Sequence, residues 1–445
     1  MGKERPPTSR ISRLTKLGRL GGRVGGSYVK QKVQGLFQDP AKQQRALERL
    51  NIDNAEQIVE TLGTLKGAAM KLGQGMANVA AGLDLPEEIT SRLGRLHSGA
   101  APIAFRVIRE DVEAQLERPL SEAFARFDPE PIGTASLGQA HAAALPDGRE
   151  VVVKVLHRGI DGSVRSDLAA LKAVMLTGRF LRRNRAEVDA IFDEIRTRLE
   201  EELDYLHEAA NIHLFRELFA GDPRVRVPGV HSAWSTERVL TMDRLPGVPI
   251  DRFLAESSPQ ARQRAGTTIG ELLFTQIFRH RTLHADPHPG NYLFEPDGTV
   301  GLLDFGCVKR FDEFWIAHYA RSGLTAIDGR REDCLQACRE LGALHGASPE
   351  ADETLWQLIR TLMYPMTVGR YTIGAHDDSV LERIAPIGHR LVRHPQVRAP
   401  RDLVFLNRTL GGTYVLLRRL VVRADWGALM REHAGWAVAH AEGRA

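Results

Sequence analysis

Apolar residues recur at steps of three and four through Ile58, Leu62, Leu65, Ala69, Leu72 and Met76, the spacing of one face of an α-helix. Asp53 with Glu56 three residues later marks a start for that helix. Pro86 at a first turn and Gly99 after a last turn bracket a second helix, so residues 51–110 form a helical block. The period then shortens. Residues 136–145, the run Val151-Val152-Val153-Lys154-Val155-Leu156 and residues 238–245 have strand length and strand composition. Pro146-Asp147-Gly148 between the first two is a turn, which predicts a small antiparallel sheet. Residues 185–219, between its strands, form a long acidic helical segment. From about Arg252 onward helical periodicity dominates, interrupted only by residues 291–294, the turn Pro296-Asp297-Gly298 and residues 300–304. The layout is a strand-rich lobe followed by a helix-rich lobe, with a short hairpin where they join and no internal repeat.

Length and composition agree with that picture. A chain of 445 residues, 43% hydrophobic and 26% charged, is a multi-lobed globular protein. Cys307, Cys334 and Cys338 are too few and too unevenly spaced for a disulfide framework or a cysteine zinc site, which points to a reducing cytoplasm. Cys334 and Cys338, four apart on a helix, are expected to be packing residues. No stretch approaches the roughly 18–20 apolar residues of a membrane span. The longest apolar run, residues 414–422, is broken by Arg418 and Arg419. The formal charge of +4 hides an asymmetry, because residues 1–35 carry nine Lys/Arg against Glu4 alone. Such a tail is a solvated arm, a dock for anionic lipid or an imitation of a transit peptide. Ile11, Leu14, Leu17 and Leu20 interleave with Arg10, Arg13, Lys16 and Arg19 every third residue, so no sharply divided helix face emerges. The expected location is cytoplasmic, with peripheral membrane contact through the tail as the alternative. Nucleic acid is not an expected partner.

The densest chemistry is His284-Ala285-Asp286-Pro287-His288-Pro289-Gly290-Asn291, followed thirteen residues after Asn291 by Asp304-Phe305-Gly306. Phosphoryl transfer needs a carboxylate to accept the proton of an attacking hydroxyl and further oxygen ligands to hold Mg²⁺ on the phosphates. Asp286 is assigned as the base, and Asn291 and Asp304 as metal ligands. Each alone could serve a turn or cap a strand; the set, in this order with a turn and strand between, points to a site. His284 and His288 stand four apart, but Pro287 and Pro289 exclude the helix on which zinc proteases carry such a pair. His288 occupies the position at which most protein kinases have a phosphate-contacting Lys, a substitution shared with small-molecule kinases of the aminoglycoside-phosphotransferase type. Lys154 on the valine-rich strand matches the kinase strand lysine, which needs a carboxylate partner, and Glu208 is the candidate. A lysine ending a valine run is also what an edge strand uses against aggregation.

Four further blocks resemble the UbiB/ADCK (ABC1) family of atypical kinases over residues 35–430. Lys71-Leu72-Gly73-Gln74 resembles its KxGQ motif, and Glu202-Leu203-Asp204 its ExD motif. Gly133-Thr134-Ala135-Ser136 lies where the family has its Ala-rich nucleotide loop, and residues 239–245 resemble the strand and hinge whose backbone binds adenine. The resemblance implies an α+β, bilobal protein-kinase-like fold with an N-terminal helical KxGQ extension. Its parts would be a basic tail (1–35), the extension (36–110), a strand-rich lobe with the ExD helix (111–247) and a helical lobe with the catalytic loop (248–445). It implies Mg-ATP or Mg-ADP between two lobes, Mn²⁺ being the alternative ion, with Lys154, Glu208, Ala135, Ser136, Asp243 and Leu245 at the nucleotide. Lys71, Gln74, Glu202 and Asp204 would be regulatory. On an ideal helix Asp204 and Glu208 share a face that Glu202 does not.

Departures from the family narrow the expectation. Gly133-Thr134 replaces two alanines, giving a backbone free to flex and an added hydroxyl. No Ala-Pro-Glu follows Asp304-Phe305-Gly306, and residues 311–326 have helical periodicity, so a peptide-docking segment and phosphorylation of a protein in trans are not expected. The C-terminus lacks the hydrophobic spans that UbiB proteins proper carry. The first expectation is thus an atypical kinase or ATPase that supports isoprenoid-quinone or lipid metabolism, with anionic lipid or quinone-pathway proteins as partners. The alternatives are a small-molecule kinase and a nucleotide-sensing lipid-binding scaffold without turnover.

Overall fold

The computed structural model describes residues 102–134, 137–159, 202–391 and 393–443, with isolated positions before residue 201. The tail and almost all of the KxGQ extension, with Lys71 and Gln74, lie outside the described residues, as do Ala135 and Ser136. The chain forms an α+β fold of two compact units. One comprises the chain to Ala209 together with Val230–Arg244; the other comprises Ala210–Gly229 and everything from Leu245 onward.

In the first unit, helix α1 (Phe105–Leu116) runs through the boundary expected between residues 110 and 111. Ile108 and Val112, four apart, bury one face in the same core and no breaker lies between them. Four antiparallel strands follow in the order β1 (Arg126–Thr134), β2 (Gly138–Ala144), β3 (Glu150–Leu156) and β4 (Val239–Asp243). Sequence periodicity missed β1. Pro129 and Pro131 cannot donate to a ladder and suit an edge, and the register with β2 shifts around Pro131. In β3, Val151, Val153 and Val155 point into the core with Ile108, Val112 and Phe124, and Lys154 belongs to the opposite face. Strand β3 is paired on both sides, to β2 and to β4, so Lys154 is not an edge-strand lysine. Gly133 continues β1 opposite Ala140 with no left-handed φ, so nothing in its backbone demands glycine.

The acidic segment expected as one helix across residues 185–219 is interrupted near its middle. Leu203 and Asp204 leave the helix, which restarts as α2 (Tyr205–Leu218). Asp204 Oδ1 accepts the Leu206 and His207 amides at 2.9 and 3.3 Å, so this side chain caps the new helix and does not share the Glu208 face.

The second unit is mostly helical. Helix α3 (Ile250–Glu256) precedes α4 (Pro259–Phe274), which starts at a Ser258 cap and runs into a π-helical turn at Thr275–Arg279. Then come β5 (Thr282–His284), the hairpin β6 (Tyr292–Phe294) and β7 (Val300–Leu302), and β8 (Val308–Arg310), which pairs back to β5. The two-residue strand Val225–Arg226 adds in parallel to β7. Helices α5 (Glu313–Ile327), α6 (Arg331–Glu340) and α7 (Pro349–Leu362) lead to β9 (Arg370–Ile373) and α8 (Val380–Leu391). Helix α9 (Arg401–Leu420), β10 (Val422–Asp425) and α10 (Trp426–Ala441) complete it. Strands β5, β8, β9 and β10 correct the expectation that only residues 291–304 interrupt the helices. Each has three or four residues, too few to show a period of two, and β9 finds its partner β10 some 50 residues away. Cys334 and Cys338 are buried on α6 in an apolar cluster with Leu335 and Leu344. No described helix is long and apolar enough to cross a membrane.

Candidate active site

The first unit brings Lys154 and Glu208 together. Lys154 Nζ donates to Glu208 Oε1 at 2.6 Å, and the two side chains are only 15% and 5% exposed. Glu208 lies in the first turn of α2, where a carboxylate also faces the positive end of the helix dipole. Asp204 caps that same turn, and Glu202 stands half-buried just before the break. Asp243 ends β4 and accepts from His231 Nε2 at 2.8 Å. The neighbouring Arg244 amide is committed to Glu150 O at 3.1 Å. Leu245, half-buried, belongs to the second unit and packs over Gly301.

In the second unit the segment from β5 to β8 holds the three remaining residues. Strand β5 ends at the buried His284, whose backbone amide donates to Gln276 Oε1 in the π turn at 2.8 Å. Its Nε2 bonds to the Asp304 carbonyl. A carbonyl only accepts, so that nitrogen carries the proton. Next, Ala285 N donates to Cys307 O at 2.9 Å, tying the loop to the segment after Asp304. Pro289–Asn291 is a single 3₁₀ turn, capped by His288 Nδ1, which accepts from Gly290 N at 3.0 Å. Both histidines are thus engaged within the loop, and neither forms a helical metal pair with the other.

The turn aims Asn291 at Asp286. Its Nδ2 donates to Asp286 Oδ2 at 2.9 Å and to Asp286 O at 3.1 Å, which turns the amide oxygen the other way. Leu303 N donates to Asn291 O at 3.0 Å, so Asp304 follows directly from a strand fastened to the loop. Asp304 Oδ1 accepts from Gly306 N at 3.1 Å. Asn291 and Asp304 therefore offer amide and carboxylate oxygen, the hard donors that Mg²⁺ or Mn²⁺ prefers. Burial, reinforced by the charge of Asp286, pushes the phenol of Tyr292 well above its ordinary range.

Several side chains around these groups escaped sequence reasoning. Asn211, three residues beyond Glu208, donates to Phe305 O at 2.9 Å. Phe215 packs on Phe305 with ring centroids 5.2 Å apart, and Phe305 meets His284 edge-on at 5.4 Å. The Glu208-Ala209-Ala210-Asn211 block is the only local hint of this. Arg408, on α9, places Nη2 3.6 Å from Asp286 Oδ1 and is announced by no motif.

Comparison with known proteins gives a consistent assignment. The ABC1 atypical kinase-like domain matches residues 95–338. The mitochondrial atypical kinase coq-8 of Caenorhabditis elegans is 28% identical over 435 residues, covering 96% of this chain and 57% of that protein. The mitochondrial atypical kinase COQ8B of Rattus norvegicus is 29% identical over 97% of this chain and 82% of its own length. The probable protein kinase UbiB of Cellvibrio japonicus is 33% identical over 52% of this chain and 44% of its own. Among solved structures, a Mycobacterium tuberculosis protein in complex with erythromycin is similar at a TM-score of 0.60 and 26% identity, over 88% of this chain and 98% of that one.

Proposed function

Because this chain belongs to the ABC1 atypical kinase-like family and is an atypical kinase of the COQ8 and UbiB type, we propose that it binds Mg-ATP or Mg-ADP and transfers or hydrolyses the terminal phosphoryl group in support of isoprenoid-quinone or lipid metabolism. The observation that carries this reading is the Asn291 amide holding the Asp286 carboxylate at 2.9 Å, on a loop fastened through Leu303 to Asp304. Phosphoryl transfer asks the protein mainly for positioning and charge, and this loop supplies a fixed base beside two oxygen ligands. Asp286 accepts the proton of an acceptor hydroxyl or water. Lys154, part-buried and bonded to Glu208, offers its ammonium to the α- and β-phosphates, and the backbone after Asp243 takes the adenine. Asn291 and Asp304 would hold the metal ion, which would offset phosphate charge when bound. Lys71, Gln74, Ala135 and Ser136, outside the described residues, enter as the regulatory and nucleotide-loop positions that the family implies; Glu202 and Asp204 join them at the N-terminus of the Glu208 helix.

The test is thermal stabilisation by Mg-ATP and Mg-ADP together with phosphate release, with and without anionic liposomes, in wild type and Asp304→Asn. Stabilisation in the wild type that is lost in Asp304→Asn is the expected result. A wild type indifferent to both nucleotides refutes the reading. The similarity to a protein solved with erythromycin favours one second reading, a small-molecule kinase. Stoichiometric phosphorylation of erythromycin by this chain would select it.

A further inference from the structure

The two oxygens of the Asp286 carboxylate have different neighbours. Oδ2 accepts the Asn291 amide at 2.9 Å, and Oδ1 faces Arg408 Nη2 at 3.6 Å. Arg408 belongs to α9, which is fastened to this place by three further contacts. One turn on, Gly412 lies so close to the loop that an added Cβ would stand 2.3 Å from Pro287 Cγ. Thr409 and Thr413 line, with His284 and Tyr292, a cavity of about 10 Å³. Towards the start of the helix, Asp402 pairs with Lys309 on β8 at 2.8 Å. Position 408 is therefore presented to the loop by a rigid element, the condition for a side chain that must hold its place during chemistry.

The loop, residues 284–291, carries no Lys or Arg beside the base. Position 288, a lysine in most protein kinases, is His288, and its Nδ1 accepts the Gly290 N–H at 3.0 Å. Yet the base and the polyphosphate are both anions that must approach each other. Resting on the phosphotransferase reading above, we propose that Arg408 supplies from α9 the positive charge that a lysine at position 288 would bring from the loop. Its guanidinium steadies Oδ1 of Asp286 and offers its other N–H donors to the transferring phosphoryl group. In that step the acceptor oxygen bonds to the γ-phosphorus and the bond to the β,γ-bridging oxygen breaks. Its electron pair leaves with ADP, and the acceptor proton passes to Asp286.

The experiment compares full-length wild type, Arg408→Gln, Arg408→Lys and the double variant Arg408→Gln with His288→Lys. Stabilisation by Mg-ADP, which has no γ-phosphate, is expected in all four. Phosphate release from ATP should fall about 100-fold in Arg408→Gln, through kcat with KM nearly unchanged. Arg408→Lys should retain most of the turnover, and His288→Lys should restore the Arg408→Gln background by about tenfold or more, because the charge returns from the other side. An arginine that only braced α9 would not be replaced by a lysine at 288. Turnover in Arg408→Gln within about threefold of wild type, or no recovery with either lysine, overturns the proposal. A wild type with neither nucleotide stabilisation nor turnover overturns the phosphotransferase reading itself and this inference with it.

Discussion

Replacing Glu208 by glutamine leaves a part-buried ammonium facing a neutral amide. The two charged atoms stand 2.6 Å apart, with side chains 15% and 5% exposed. At an effective dielectric near 20 their gross attraction is on the order of 6 kcal/mol. Taking two ions out of water costs several kcal/mol each, so the intact pair contributes little net stability. Removing one partner is different, because the desolvation of the other continues while this attraction is lost, and the expected loss is about 3–5 kcal/mol. Removing both charges, with Lys154→Met and Glu208→Leu together, should return the protein to within about 1 kcal/mol of wild type. Urea or guanidinium unfolding at neutral pH reads all three quantities from midpoint and slope. The double variant should also fold without responding to Mg-ATP, which separates the pair's part in binding from its part in folding. A Glu208→Gln protein within about 1 kcal/mol of wild type would refute the reasoning, since a pair so little exposed cannot be opened so cheaply.

Two other outcomes follow from the structure. Asp378 is buried, which alone would raise its pKa, but hydrogen bonds from Tyr414, the Gly374 amide and Tyr371 outweigh burial and hold it below the ordinary carboxylate range. A depressed folded pKa gives stability that is present above the unfolded value of about 3.9 and lost as pH falls through the folded one. Asp378→Asn should therefore be less stable at neutral pH and show a flatter decline in unfolding midpoint as pH drops below about 4. Gly133→Ala should be tolerated and raise stability by about 0.5–1 kcal/mol in denaturant unfolding, because an added Cβ meets nothing within 4 Å among the described residues and the backbone is not left-handed there. A loss of stability would show that this position needs glycine after all.

What could be read from the sequence tracks how local each cause is. The valine alternation that forms β3 lies in seven consecutive residues, and it puts Lys154 on the face away from the core without help from elsewhere. The turn and strands after Asn291 were visible for the same reason. Strand β1 was hidden because its two prolines argue against a strand, and only pairing with β2 makes it one. Asp204 looked like a helix-face residue because helical periodicity continues across it. Its carboxylate instead bends onto the amides of Leu206 and His207, a choice between helix interior and cap that periodicity does not record.

The surroundings of Asp286 follow the same logic. A carboxylate, an amide and a second carboxylate must come within a few ångströms of one another, and a loop of seven residues (285–291) followed by a hairpin can hold them, so their identities form a compact motif. Holding that loop still is another matter. His284 is fixed by Gln276 of the π turn, Phe305 by Asn211 and Phe215 of α2, and Pro287 by Gly412 of α9. Each support asks only for one donor, one ring or one missing side chain, which many segments could supply and none needs to announce. Arg408 sits on the border between the two kinds. It carries a charge, as motif residues do, but it arrives with the scaffold, so only the fold reveals it beside Asp286.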